Sequence, residues 1–141
     1  MIVQLLYMSR RIGPGVHESD DYITMARARN AELGITGLVL ITDIFYLHCL
    51  EGERSVVSEL YLKITDDPRH TDQVILRYST LKEREFPEFS AEYALLTDFD
   101  NRDINTLCGT MAEDLHTVNS SQAKSLIRRL AAHLRAKNNN F

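Results

Sequence analysis

Apolar residues follow two different rhythms along this chain, and the switching between them predicts its fold. Residues 2–9 read Ile-Val-Gln-Leu-Leu-Tyr-Met-Ser. Side chains alternate across a strand, so Val3, Leu5, Tyr7 and Ser9 share one face and Ile2, Gln4, Leu6 and Met8 the other. Both faces are largely apolar, which predicts a central strand covered on both sides. Gly13-Pro14-Gly15 then marks a loop. Ser19-Asp20-Asp21 places a cap candidate and two acids at the positive end of a helix dipole. From there the period lengthens to that of a helix, which reaches Leu33 and stops at Gly34. Its inward stripe is Ile23, Ala26, Asn30 and Leu33, so an amide sits among apolar positions. Strands are predicted at 35–41 and 44–51, joined as a hairpin at Thr42-Asp43. A second helix over 54–65 turns Val57, Leu60, Tyr61 and Ile64 inward. Further strands are predicted at 74–81 and, after Pro87, at 89–96.

The order βαββαββ predicts an α+β fold, a ferredoxin-like sandwich with two helices on one face of a mixed sheet. It ends near residue 97, so the chain divides into a core of 1–97 and a C-terminal helical extension of 98–141. Within the extension, residues 104–115 form a short helix. Asn119 then opens a last one reaching residue 137, with Ala123, Leu126, Ile127, Leu130 and Leu134 as its apolar stripe. That stripe must cover something, and the bare second face of the sheet is the expected place.

Composition narrows the function classes. With 141 residues and 44% hydrophobic content the chain can build a real core. No apolar run approaches the roughly 18 residues of a membrane span. The first residues read as a strand rather than a signal peptide. Two cysteines, Cys49 and Cys108, make no pairing framework, which points to a reducing, cytoplasmic setting. A formal net charge of −4 argues against nucleic acid as a general partner. The basic residues of the last helix (Lys124, Arg128, Arg129, Arg135 and Lys137) read as a solvated face.

Candidate chemistry is sparse. Asn30 reads in two ways: an amide satisfied near a helix end, or a ligand amide offering a donor and an acceptor side by side to a planar heterocycle. Tyr7 and His48 lie in strands predicted to be buried. Each is either a core residue with its polar atom satisfied or part of a site near Asn30. Arg69-His70, with Lys63 one turn before the helix end, is either ordinary surface charge or a cationic grip on a phosphate. Metal binding is not expected: His48 and Cys49 are adjacent on a strand and point to opposite faces, and His70, Cys108 and His116 lack tight ligand spacing. No Gly-x-Ser-x-Gly and no phosphate loop occurs.

Taken together, several of these stretches resemble the BLUF domain, the blue-light sensor that uses FAD. Tyr7-Met8-Ser9 resembles its strand-one Tyr-x-Ser. Asn30 followed by Gly34-Ile35-Thr36-Gly37 resembles its flavin-binding asparagine and helix exit. Leu50-Glu51-Gly52 resembles its Leu-Glu-Gly, Asp67-Pro68-Arg69-His70 its Asp-x-Arg-His loop, and Phe86-Pro87-Glu88-Phe89-Ser90 its Phe-Pro-x-Trp-Ser segment. Five elements in register, across residues 1–97, make the resemblance specific.

The resemblance implies FAD, with FMN or riboflavin as chemical alternatives, held between the two helices. Ile23 and Ile64 would flank the ring, Asn30 would bond its pyrimidine edge, and Arg69, His70 and Lys63 would serve the ring edge or the phosphates. In BLUF proteins light moves an electron and a proton from the strand-one tyrosine, here Tyr7, by way of a third-strand glutamine whose amide then rearranges. This sequence departs at that point. The glutamine position is His48, the tryptophan is Phe89, and the nearby methionine position is Ala91. FAD binding is therefore expected together with a lost or altered light response. The function implied is a non-enzymatic blue-light photoreceptor that signals through association, as a homo-oligomer and with a downstream protein. The alternative is a light-insensitive interaction module of the same fold, with flavin optional.

Overall fold

A computed structural model gives the architecture and describes residues 1–12, 20–68, 70–96 and 102–138. Among the described residues, five strands and four helices run in the order β1 (Ile2–Arg11), α1 (Asp20–Leu33), β2 (Thr36–Ile41), β3 (Phe45–Glu53), α2 (Arg54–Thr65), β4 (His70–Leu81), β5 (Ser90–Leu95), α3 (Arg102–Glu113) and α4 (Ser120–Asn138), with a 3-10 turn at Leu115–Thr117. The strands form one sheet in the order β4-β1-β3-β2-β5. Its pairs are antiparallel except β2 with β5. The first four strands thus have the ferredoxin-like arrangement that the βαββαββ order predicts, and β5 extends the sheet beyond β2. The Gly13-Pro14-Gly15 loop, the Ser19 cap, Arg69 and the expected division at 97/98 lie outside the described residues, as do the side chains of Ile23 and Ala91.

Strand alternation sorts the core into two layers. On one face Val3, Leu5, Tyr7 and Leu50 pack with Ile35 and with Val57, Leu60 and Ile64 of α2. On the other, Leu6, Met8, Leu38, Leu40, Phe45, Leu47 and Cys49 meet Ile104, Cys108 and Met111 of α3 and the whole predicted stripe of α4. Each such side chain fully removed from water contributes about 1.5–3 kcal/mol, so the last helix completes this chain's own core. Its start is fixed as the sequence predicts: Asn119 Oδ1 accepts from the Ser121 and Gln122 amides at 2.9 and 3.1 Å. The hairpin is closed by Thr42, whose hydroxyl accepts from the Phe45 amide at 2.9 Å.

Three expectations need correction. The fourth strand starts at His70 rather than 74. Its opening residues are polar, which hides them from a hydrophobic reading, and a register shift opposite Met8–Arg10 accommodates Asp72 at φ 51°. Leu33 is 39% exposed. The chain reverses at Gly34 (φ +67°), which leaves Leu33 outside and turns Ile35 into the core instead. Lys124 is not on a solvated face. It is 3% exposed, with its ammonium 2.8 Å from Glu85 and bonded to the Gln4 amide oxygen. Arg128 and Arg135 also reach back, to Glu85 and Glu88.

Candidate functional site

The face of the sheet opposite α4 carries the polar residues that the sequence singles out. β1 and β3 pair in a register that sets Tyr7 opposite His48. Tyr7 is wholly buried, and its hydroxyl lies 2.6 Å from His48 Nδ1. The two rings tilt at 39° with centroids 5.2 Å apart. Tyr61 of α2 stands edge-on to Tyr7, at 5.0 Å and 73°. This third aromatic lies on the predicted inward stripe, but nothing in its spacing links it to Tyr7.

A second pair adjoins the first. His70 Nδ1 lies 2.9 Å from the Ser9 hydroxyl, and the His70 ring lies 4.6 Å from that of Tyr46. Lys63 is exposed at the end of α2, and Ile64 is buried beneath it. Phe89 takes the other direction. It is buried in the layer shared with α4, under the Arg135 guanidinium at 5.6 Å, and its backbone carbonyl accepts from the Gly37 amide at 2.7 Å.

Asn30 is 1% exposed. Its backbone carbonyl accepts from the Ile35 amide at 2.8 Å, which ties it to the turn at Gly34. Its side-chain oxygen receives two long contacts, 3.4 Å each, from the neighbouring Arg29 guanidinium. Contacts of that length are weak, and a buried amide is worth more when its donor and acceptor are both engaged. An amide so placed fits a planar heterocycle with adjacent N–H and C=O groups. Among the described residues, no group of His, Cys, Asp and Glu is placed to hold a metal ion. No helix among them is long and apolar enough to cross a membrane.

His48 titrates near 3 instead of the ordinary 6.5, chiefly because burial penalises the charged ring; the charges of His70 and Arg29 push the same way. The ring is therefore neutral around pH 7, with one N–H and one bare nitrogen. The sign of the linkage follows. Between about pH 6.5 and 3 the unfolded chain binds a proton at this residue that the folded chain refuses, so stability falls as the pH drops through that window. His48 is only partly buried, which moderates the effect. By about pH 4 the chain is expected to lose roughly 2 kcal/mol more than a His48→Gln variant, at about 1.4 kcal/mol per unit of displacement. Urea unfolding across the pH range measures this, and parallel curves for the two chains would refute it.

Sequence reasoning missed one further set of residues. Glu51 is fully buried, and its carboxylate accepts from the Glu85 and Phe86 amides at 3.1 and 2.8 Å and from Gln4 Nε2 at 2.7 Å. Arg84 donates to the Gly34 carbonyl at 2.5 Å, to Thr36 Oγ1 at 2.9 Å and to the Glu51 carbonyl at 3.0 Å. The available signal was Gln4 and Glu51, polar residues in otherwise apolar strands. Their partners lie 33 to 120 positions away and cannot be paired from spacing.

Comparison with known proteins agrees with this fold. A family model described as BLUF, sensors of blue-light using FAD, matches residues 2–92. The photoactivated adenylate cyclase subunit beta of Euglena longa is 43% identical over 70 residues, covering 50% of this chain but 8% of that protein. The blue light- and temperature-regulated antirepressor BluF of Escherichia coli (strain K12) is 29% identical over 93 residues, 65% of this chain and 23% of its own length. The chain thus spans less than a quarter of either relative. It spans 96% of a solved structure of BlrB, a BLUF protein in its dark state, with 94% of this chain superposed at a TM-score of 0.76 and 28% identity. With the family model matched over most of its length and the same architecture in a solved member, the chain belongs to the BLUF family of flavin-using blue-light sensors.

Proposed function

We propose that this chain holds FAD between α1 and α2 and senses blue light through Tyr7 and His48, with a response altered by the histidine. The observation that carries the reading is the 2.6 Å bond between Tyr7 and His48; Tyr7 shares its layer with Ile35, whose amide bonds the Asn30 carbonyl. FAD, when bound, supplies the absorption of light and the electron acceptor. The chain's own residues do the rest. Asn30 would meet the pyrimidine edge, Ile23 and Ile64 would flank the ring, and Lys63, Arg69 and His70 would serve the ring edge or the phosphates. Tyr7 is the oxidisable group, and its hydroxyl is bonded to His48 Nδ1; it is the donor in the tautomer that carries the imidazole N–H on Nε2. Loss of an electron turns the phenol into a strong acid, and its proton is then taken at Nδ1, although the ring refuses one in the dark. An amide in this position can exchange its N–H and C=O ends, whereas an imidazole has no carbonyl to present. Once the proton returns, the hydrogen bonds are those of the dark state.

In this reading residues 1–97 form the sensor and 98–141 carry its output, through a second copy or a downstream protein in the cytoplasm, with no catalysis of its own. A second reading, a light-insensitive interaction module with flavin optional, rests on the same histidine. Flavin extraction, with absorption spectra before and after blue light, separates the two. A yellow protein that releases FAD and shows under blue light a change that vanishes promptly in the dark, with no slowly recovering red shift, is expected. A yellow protein whose spectrum blue light leaves unchanged favours the second reading. A colourless protein that free FAD cannot reconstitute favours the second reading, and a normal red shift with slow dark recovery overturns the role given to His48. Asn30→Ala is expected to weaken FAD binding at least about tenfold, which corresponds to 1.4 kcal/mol.

A further inference from the structure

Two consecutive residues, Arg84 and Glu85, grip two different parts of the molecule. Arg84 holds the exit of α1: its guanidinium bridges the Gly34 carbonyl and Thr36 Oγ1, on either side of the Ile35 amide that bonds the Asn30 carbonyl. Glu85 holds α4. Its carboxylate accepts from Lys124 at 2.8 Å, from Arg128 at 2.7 Å and from Gln4 at 3.2 Å. Burial opposes the charge of this carboxylate, yet the hydrogen bonds from Arg128, Lys124 and Gln4 win and hold its pKa down at about 2. Glu51 binds the segment to the sheet through the Glu85 and Phe86 amides. Arg135 adds a bond to the Glu85 carbonyl at 3.3 Å and an ion pair to Glu88.

This arrangement resists partial rearrangement. Gln4, Glu51 and Lys124 are 2, 0 and 3% exposed, so no member can leave without stranding a buried polar or charged partner. A shift of α4 that draws Lys124 off Glu85 must therefore move the 84–86 segment, and with it the Arg84 bonds to the turn behind Asn30. We infer that Arg84 and Glu85 form a positioning device that sets Asn30 according to the seating of the C-terminal helix. The part of this inference that concerns flavin rests on the reading of Asn30 as the ring-edge ligand. Coupling of this kind is reciprocal: whatever seats α4 tightens the grip at Asn30, and a ligand at Asn30 seats α4.

Native-state hydrogen exchange on the flavin-free chain tests the mechanical part without any cofactor. Lys124→Met is expected to lower protection of the Ile35 and Gly37 amides about tenfold relative to amides of the β1–β4 pair. Arg129→Ala, an exposed change on the same helix, leaves them unchanged. In an Arg84→Lys background, where a single ammonium nitrogen replaces the two guanidinium nitrogens that reach Gly34, Thr36 and Glu51, Lys124→Met no longer has a selective effect. Uniform loss of protection across the sheet, or an effect of Lys124→Met that persists undiminished without Arg84, overturns the inference. Titration with FAD gives the second arm: Lys124→Met weakens binding several-fold, and FAD protects α4 amides in the wild-type chain but not in Arg84→Lys. If FAD binds equally to all variants, the coupling to the ligand fails; if it binds to none, including wild type, the flavin reading fails and the exchange result alone decides the positioning device.

Discussion

Replacing His48 with glutamine is expected to give the flavin-loaded chain a red shift of its absorption under blue light that decays in the dark and that the His48 chain lacks. The backbone already suits the change. Position 48 lies directly opposite Tyr7 in the β1–β3 register, and its ring nitrogen is at hydrogen-bond distance from the tyrosine hydroxyl. A glutamine amide is long enough to meet the same hydroxyl, and it carries its donor and its acceptor on one carbon, whereas those of the imidazole are two ring nitrogens. Only the amide can present its C=O where its N–H stood, and that exchange alters the hydrogen bonds reaching the ring edge. FAD affinity should change little, since Asn30 and the flanking residues are untouched. His48→Ala serves as the control: it removes the bond to Tyr7 and supplies no amide, so it gives no shift. A His48 chain that already shows the shift, or a His48→Gln chain that binds FAD and shows none, would sink the idea.

The same position shows how far the sequence could be read. Alternation along residues 2–9 and 44–51 foretold which side chains share a face, and Tyr7 and His48 do share one, with Cys49 turned to the opposite layer. Periodicity is a local property that survives into the fold because each strand is covered on both faces. The stripe of α4 was legible for the same reason. Polar positions were less so. Lys124 sits beside the apolar stripe, where a lysine is ordinarily solvated, and its burial depends on Gln4 and Glu85, which arrive from β1 and from the segment before β5. The early start of β4 was hidden by polar residues on an edge strand, where one side of the backbone ladder is unpaired and apolar pressure is weak. Leu33 was misplaced because helical spacing takes no account of where the chain reverses.

That reversal is also where a single added methyl group should do the most damage. Gly34 and Gly37 stand three residues apart at the exit from α1, and both have positive φ, +67° and +154°. Around Gly34 nothing lies within 4 Å of an added Cβ, so Gly34→Ala meets only the backbone penalty of the left-handed region, about 1–2 kcal/mol. Gly37 is different. A Cβ there would lie 2.0 Å from the Cys49 carbonyl oxygen and 3.0 Å from its carbon, both backbone atoms of the neighbouring strand. No rotamer change relieves that clash. The strands must part at the Gly37–Leu50 pair, and the 2.7 Å bond from the Gly37 amide to the Phe89 carbonyl, which helps to dock β5, is drawn off with them. A loss above about 4 kcal/mol is expected, exceptional for one substitution and comparable to much of the 5–15 kcal/mol that holds a typical domain. Urea denaturation should show Gly34→Ala as a folded chain with a modestly lowered midpoint. Gly37→Ala should be largely unfolded or insoluble, without the near-ultraviolet signal of packed aromatic side chains. Equal midpoints for the two variants would mean that β2 and β3 can separate locally at low cost, and the close approach at Gly37 would then have no part in fixing the turn behind Asn30.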